Sequence, residues 1–168
     1  MYYKKAYISP VGELTLVAKD DCLAGVWFKD QKYYLGSLKE ESLLEQDTPV
    51  LDKTAKWLDE YFSGRQPSIL MLPLAPQGTV FQRIVWQILC QIPYGQTKTY
   101  GQIAKEVAEL RGIPSSAQAV GSAVGHNPIS IIIPCHRVVG AKGNLTGYAG
   151  GIDKKAMLLQ HEGANITK

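Results

Sequence analysis

Residues 99–125 read TYGQIAKEVAELRGIPSSAQAVGSAVG, and this stretch decides the fold class of the C-terminal half. Thr99 and Gln102 have the spacing of a capping box, in which the hydroxyl and the Gln side chain satisfy free backbone N–H groups where a helix begins. Ser115 and Gln118 repeat this spacing after a Gly-Ile-Pro turn. Two short helices joined by such a turn predict a helix-turn-helix, although tight helix pairs also occur in proteins that never bind DNA.

A third capping box, Thr79 with Gln82, precedes this stretch and predicts a further helix. The apolar stripe expected on that helix consists of Phe81, Ile84, Val85, Ile88 and Leu89. The core face expected on the helix after Thr99 consists of Ile103, Val107 and Leu110. The helix near residues 116–125 is rich in Ala and Gly, which let a backbone lie close to another surface.

The N-terminal half has the pattern of a sheet. Three runs at residues 3–9, 13–19 and 22–28 are rich in β-branched and aromatic residues, and turn residues separate them, which predicts an antiparallel meander. A helix is predicted to begin near Thr48 and to end at Gly64. Its expected apolar face consists of Val50, Leu51, Ala55, Leu58, Tyr61 and Phe62. Residues 67–78 contain three prolines and predict a strand with a linker, so we expect two domains, 1–77 and 78–168.

Composition and charge describe an ordinary globular chain. Of its 168 residues 45% are hydrophobic and 20% are charged, and no apolar run approaches the ~20 residues that span a bilayer. The N-terminus lacks the apolar region of a secretory signal, so we expect a cytoplasmic protein without a membrane partner. Residues 1–80 carry 9 basic and 11 acidic residues, whereas residues 81–168 carry 9 and 4. An anionic partner is therefore expected at the C-terminal half, the alternative being ordinary scatter of surface charge.

The stretch at 127–140 reads NPISIIIPCHRVVG and carries the chemistry. An apolar β run predicted before Cys135 delivers that cysteine next to a histidine and an arginine, and such neighbours lower a thiol pKa from about 8.5. Most free cysteines are unreactive buried residues, and this alternative fits Cys22 and Cys90, which have no adjacent His or Arg. Three cysteines without a CxxC spacing argue against disulfides and a zinc site, so we expect no metal.

Four blocks now stand in order along the chain: GHNP at 125–128, PCHRV at 134–138, GYAGG at 147–151 and HEG at 161–163. Together they resemble the O6-alkylguanine-DNA alkyltransferases, also called methylated-DNA–protein-cysteine methyltransferases. The match is continuous from about residue 79 to 163, and the upstream half fits by size and strand order only. The resemblance implies an α/β ribonuclease-H-like domain of antiparallel strands plus a helix, followed by a mainly α, winged-helix-like helix-turn-helix domain.

The resemblance implies repair of DNA by direct reversal. The protein would flip O6-alkylguanine out of double-stranded DNA and move the alkyl group irreversibly to Cys135, once per molecule, as a monomer and without a cofactor. His136 would draw off the thiol proton through a bound water, and Glu162 would orient His136. Asn127 would hold the turn before the active-site strand, and Tyr100 would donate its phenol proton towards guanine N3. Whether O4-alkylthymine is also a substrate stays open.

A second set of residues is implied to bind the base and the DNA. It consists of Gln118, Ala119, Val120, Gly121, Arg137, Val138, Tyr148, Ala149 and Lys155. The carbonyls of Cys135 and Val138 would accept from the guanine amine, the Ala149 N–H would reach O6, and Tyr148 would wall the pocket. The family usually has arginine where this chain has Gln118, and that arginine fills the gap left by the flipped base. Glutamine is shorter and uncharged, so we expect it to change the efficiency of base flipping and not the alkyl transfer itself.

Two other function classes fit parts of the pattern. An adaptor that binds damaged DNA without transfer would lack the acceptor cysteine, whereas Cys135 is present. A cysteine hydrolase could use Cys135, His136 and Glu162, but the flanking sequences do not resemble those of known cysteine proteases. Incubation with alkylated DNA separates the three classes by binding, stoichiometric transfer or turnover.

Overall fold

The computed structural model describes residues 1–165, and the chain forms two compact units. The first unit contains residues 1–77 together with 128–130, and the second contains the rest of the described chain. Within residues 1–165, no helix is long and apolar enough to cross a membrane.

The first unit is a four-stranded sheet with one long helix. Strands β1 (Tyr2–Ser9), β2 (Gly12–Lys19) and β3 (Cys22–Phe28) pair antiparallel in sequence order, which confirms the predicted meander. A short strand, β4 (Leu43–Glu45), pairs parallel with β1 and was not predicted. Helix α1 (Pro49–Phe62) begins where the Thr48 hydroxyl accepts from Leu51 N. Its buried residues are Val50, Leu51, Thr54, Trp57, Leu58 and Tyr61. Thr54 and Trp57 therefore take the places predicted for Ala55 and Phe62.

The predicted strand within residues 67–78 is wrong. This segment contains a 3-10 turn at Ile69–Met71 and a single bridge between Leu74 and Leu23 of β3. Prolines in the segment lack the N–H that a strand ladder needs, so pairing does not extend. On the same strand, Val26 N donates to Pro128 O at 2.8 Å, and Ser130 N donates to Val26 O at 2.9 Å. Residues 128–130 are thereby held to β3.

The second unit is mainly helical. Its helices are α2 (Val80–Leu89), α3 (Tyr100–Arg111), α4 (Ala117–Gly125) and α5 (Ile152–His161). Two short strands, β5 (Lys98–Thr99) and β6 (Val138–Val139), pair parallel. Both bonds of the capping box are present at Thr79 and at Thr99, which confirms these two predictions. At α4 the cap is Ser116, whose hydroxyl accepts from Ala119 N at 3.0 Å, so the predicted box of Ser115 with Gln118 is wrong.

The helix-turn-helix itself is present. Gly112 ends α3 in the left-handed conformation at φ 71°, which a residue without Cβ adopts at little cost, and α4 follows after the turn. The α3 core face contains Ile103, Ala104 and Val107, whereas Leu110 is 70% exposed although it was expected in the core.

The predicted strand before Cys135 is also wrong. Only Ile129 forms a bridge, residues 130–133 form a turn in which Ile131 has φ 70°, and a 3-10 turn begins at Cys135. The Asn127 side-chain amide donates to Ile133 O at 2.9 Å and so occupies a carbonyl that a neighbouring strand would need. All of residues 129–136 are buried, so the apolar run reflects burial rather than strand structure.

Candidate active site

Cys135 lies at the start of a 3-10 turn and is only 5% exposed. Burial raises the pKa of its thiol above the usual value. A hydrogen bond from the Asn127 side chain, the positive charge of Lys155 and a hydrogen bond from Tyr148 each act in the opposite direction, because they stabilise the thiolate. The predicted residues Asn127, Lys155 and Tyr148 are therefore all brought to the predicted nucleophile.

His136 follows Cys135 and is completely buried. Its Nε2 lies 2.7 Å from Glu162 Oε2, and its Nδ1 has no hydrogen-bond partner within residues 1–165. Burial lowers the pKa of His136, so the imidazole is neutral at physiological pH. A neutral ring has one donor and one acceptor nitrogen. Because Nε2 faces a carboxylate, Nε2 carries the proton and Nδ1 is the acceptor.

Glu162 follows α5 directly and receives hydrogen bonds from several groups. Arg137 Nε donates to its Oε1 at 2.8 Å and Nη2 donates to its Oε2 at 3.0 Å, which is a bidentate ion pair. Gly95 N also donates to Oε1, at 3.1 Å. Burial alone would raise the pKa of Glu162, but hydrogen bonds from His136 and Arg137 hold that pKa well below its usual range. Glu162 is therefore a carboxylate.

Arg137 and Lys155 were predicted to contact substrate or DNA, and the structure directs both of them inward. The Arg137 side chain is 11% exposed and its guanidinium lies on Glu162. Lys155 is 0% exposed, and its Nζ donates to Thr146 O at 2.9 Å and to Gly147 O at 3.1 Å. Burial lowers the pKa of Lys155 to about 8. No carboxylate within residues 1–165 forms an ion pair with Lys155.

Tyr100 begins α3, and its hydroxyl donates to Thr146 O at 3.2 Å. The Lys155 ammonium lies 5.8 Å from the centre of the Tyr100 ring and bonds the same carbonyl. This carbonyl precedes the turn that carries Tyr148 and the half-buried Ala149. Tyr100 and the 146–149 segment are thereby held together at one side of Cys135.

Some of the α4 residues predicted to contact DNA are exposed and others are buried. Gln118 and Ala119 are exposed in the first turn of the helix, whereas Val120 is completely buried and belongs to the core. A Cβ on Gly121 would lie 3.8 Å from the Tyr100 ring, so this position places α4 close to α3. Val138 lies in β6, and its N–H already donates to Cys135 O, one of the two carbonyls predicted to bind guanine. A carbonyl has a second lone pair for that purpose.

Sequence reasoning missed the backbone groups that complete the site. These are Gly95 N, Ile92 O, Thr146 O and Gly147 O. A main-chain donor or acceptor has no residue-type signature, so only the folded chain reveals it. Within residues 1–165, no group of His, Cys, Asp and Glu side chains has a geometry that could hold a metal ion.

Comparison with known proteins assigns both halves of the chain. Residues 80–164 match the family described as 6-O-methylguanine DNA methyltransferase, DNA binding domain, and residues 1–76 match its ribonuclease-like domain. The chain is 43% identical to a methylated-DNA–protein-cysteine methyltransferase of Methanosarcina acetivorans, over 98% of this chain and 99% of that protein. It is similar to the crystal structure of Mycobacterium tuberculosis O6-methylguanine methyltransferase, with a TM-score of 0.80 and 40% identity over 97% and 93% of the two chains. A structure of the same organism's OGT in complex with DNA has a TM-score of 0.82 and 40% identity, over 96% and 92%.

Proposed function

Since the chain belongs to the 6-O-methylguanine DNA methyltransferase family, we propose that it repairs O6-alkylguanine in duplex DNA by transferring the alkyl group to Cys135. The observation that carries the proposal is the buried pair next to this thiol. His136 bonds Glu162 through Nε2 at 2.7 Å and leaves Nδ1 as an acceptor without a partner in the described chain. A thiol beside such a base forms the thiolate that attacks carbon.

The reaction begins with the thiol proton, which passes through a bound water to His136 Nδ1. The Cys135 sulfur then forms a bond to the sp³ carbon of the alkyl group, and the bond between that carbon and guanine O6 breaks with its electron pair on the base. Tyr100 donates a proton towards guanine N3, which neutralises the leaving group as its charge develops. The guanine then exchanges its N3 proton with water and regains the normal proton at N1, while the proton held by His136 returns through water to the Tyr100 oxygen. The products are a stable thioether on Cys135 and an unmodified guanine, so each molecule acts once.

The second unit provides the surface for DNA. Its helix-turn-helix exposes Gln118 and Ala119 in the first turn of α4, and residues 81–168 have five more basic than acidic residues. Phosphate contacts release counterions, so we expect the affinity for DNA to fall steeply with salt and to depend little on sequence. We further propose that the protein acts in the cytoplasm as a monomer and needs no cofactor.

The test is incubation with excess duplex DNA containing labelled O6-methylguanine. Transfer that stops at one methyl group per protein supports repair, and the Cys90→Ser variant, which keeps Cys135, should behave as the wild type does. Binding without transfer would identify a damage-binding adaptor. Release of methanol with many turnovers would identify a hydrolase and refute the proposal.

A further inference from the structure

The ion cluster behind Cys135 contains one carboxylate and two groups that could balance its charge. Arg137 is a permanent cation bound to Glu162 through two nitrogens at 2.8 and 3.0 Å. His136 is titratable and bonds the same carboxylate at 2.7 Å. The side chains of His136 and Glu162 are both 0% exposed, so bulk water does not screen the electrostatic interaction between them.

We propose that Arg137 is a positioning residue that sets the protonation state of His136. As the counter-ion of Glu162, it leaves His136 neutral, with the proton on Nε2 and the acceptor lone pair on Nδ1. His136 is then ready to receive the Cys135 proton. This role rests on the proposed alkyl transfer for its effect on rate, but the protonation state itself is a property of the resting protein.

Each nitrogen of the Arg137 guanidinium donates a hydrogen bond within the protein. Nε and Nη2 bind Glu162, Nη1 donates to Ile92 O at 2.7 Å, and the Tyr94 ring lies 5.7 Å from the guanidinium carbon. These bonds use three of its five N–H groups, and with the side chain 11% exposed the group points into the protein and not toward solvent. A planar fork is required here, because a lysine ammonium cannot bond both carboxylate oxygens and the Ile92 carbonyl with the same geometry.

The consequence of losing Arg137 follows from the charges that face His136. Burial has the largest effect and disfavours the charged ring, and the charged groups that act on it are the Glu162 carboxylate, the Arg137 guanidinium and the Lys155 ammonium. Glu162 attracts a second proton to the ring, whereas Arg137 and Lys155 repel it. Without Arg137 the buried carboxylate would recruit its counter-charge from His136. The resulting imidazolium donates from both nitrogens and has no acceptor for the thiol proton.

The experiment compares the full-length wild type with Arg137→Met and Arg137→Lys, and with Arg83→Met as a control at an exposed arginine on α2. Nitrogen-15 NMR of the histidine rings reports the tautomer and pKa of His136 without any substrate. Rates of alkyl transfer from free O6-alkylguanine base are measured across pH in parallel. The free base needs no DNA contact, so the control should equal the wild type in both measurements.

In the wild type we expect a neutral ring with the proton on Nε2 across the physiological range. Arg137→Met should raise the pKa of His136 by about one unit or more. The acid limb of its rate profile should move up by the same amount, so transfer slows about tenfold on the acid side and recovers at alkaline pH. Arg137→Lys should show a smaller shift in the same direction.

A wild-type His136 that is an imidazolium, or carries its proton on Nδ1, would overturn the inference. So would an Arg137→Met variant that slows equally at every pH while His136 keeps its pKa, because that pattern indicates a structural role only. If Arg137→Met does not fold, Arg137→Lys and the wild-type tautomer decide the question. A wild type with the expected tautomer but no alkyl transfer would refute the proposed function and leave this inference standing.

Discussion

Two groups of charged residues flank Cys135, and they differ in how their charge is balanced. On the acid–base side, defined here as His136, Arg137 and Glu162, every charge has a partner of opposite sign within hydrogen-bond distance. On the lysine side, defined as Lys155, Tyr100 and residues 146–147, the hydrogen bonds of the ammonium within residues 1–165 go to carbonyl oxygens. Lys155 has no carboxylate partner in the described chain, and its pKa falls to about 8.

The difference indicates two separate tasks. A cluster in which each charge has a partner of opposite sign keeps the same protonation state over a wide range of pH. This suits His136 as the proposed acceptor of the thiol proton. An unbalanced buried cation is costly until an anion forms beside it, and the Cys135 thiolate is such an anion. We therefore expect the acid–base side to accept the thiol proton and the lysine side to stabilise the Cys135 thiolate.

The largest effect is expected from removing the thiol that the two sides share. Cys135→Ser should abolish alkyl transfer, because a serine hydroxyl does not ionise in this environment, while binding to DNA stays close to that of the wild type. Transfer is measured with labelled O6-methylguanine DNA and binding by fluorescence anisotropy. Residual transfer in this variant would mean that the nucleophile lies elsewhere.

Breaking the acid–base side should have the next largest effect. Glu162→Gln removes the negative charge that stabilises protonated His136, so that the general base is lost, and should slow transfer by about 10²-fold or more. It also leaves the Arg137 guanidinium buried without a carboxylate, at a cost of about 3 kcal/mol in the free energy of unfolding. Single-turnover rates and urea denaturation measure the two effects. An unchanged rate would show that the cluster is structural only.

Breaking the lysine side should slow transfer less. Lys155→Met removes the charge that favours the thiolate, so the pKa of Cys135 should rise by about one unit and transfer near neutral pH should slow about tenfold. The loss should shrink as the pH is raised, because the thiolate then forms without help. Iodoacetamide alkylation rates across pH measure the thiol pKa directly, and Lys105→Met on the exposed face of α3 is the matched control.

The same lysine makes a prediction about stability. Its pKa of about 8 in the folded protein lies below the ordinary 10.5, so between these values the unfolded chain binds a proton that the folded chain has released. The free energy of unfolding therefore rises with pH between these two values. Below about pH 8 the lysine is protonated in both states, so its titration adds no pH dependence there. In Lys155→Met this rise should be smaller. Equal pH dependence in the two proteins would contradict a buried ammonium.

The smallest effect is expected outside both sides, at Gln118. Gln118→Arg should raise the rate on duplex O6-methylguanine a few-fold and leave the rate on the free base unchanged, because the free base needs no flipping. The Gln118 side chain is exposed, and the cap of α4 belongs to Ser116, so helix stability should not change. If the two rates shift together, position 118 acts on the fold or the pocket and not on flipping.

Local signals in the sequence predicted most of the architecture. The fold class is confirmed by the family matches, and the capping boxes at Thr79 and Thr99 form because their bonds involve only residues three positions apart. The predicted capping box of Ser115 is wrong because two adjacent serines can both cap the helix, and it is Ser116 that does so. The predicted strand before Cys135 is wrong because a short apolar run indicates that residues are buried but does not determine their backbone conformation.

The site was only partly accessible to sequence reasoning. The roles given to Cys135, His136 and Glu162 stay predictions, although the structure places the His136 and Glu162 side chains in contact. The sequence does not reveal whether the Arg137 and Lys155 side chains point toward DNA or into the protein, because a basic residue can bind a DNA phosphate or a buried partner equally well. Their partners are the Glu162 carboxylate and backbone carbonyls, which only the fold brings near.

The most direct measurement is mass spectrometry of the protein after reaction with O6-methylguanine duplex DNA, with the intact mass followed by peptide mapping. We predict the added mass of a single methyl group on every active molecule, located on the peptide that contains Cys135, with Cys22 and Cys90 unmodified. A methyl group on Cys22 or Cys90, or repaired DNA together with an unmodified protein, would contradict transfer to Cys135.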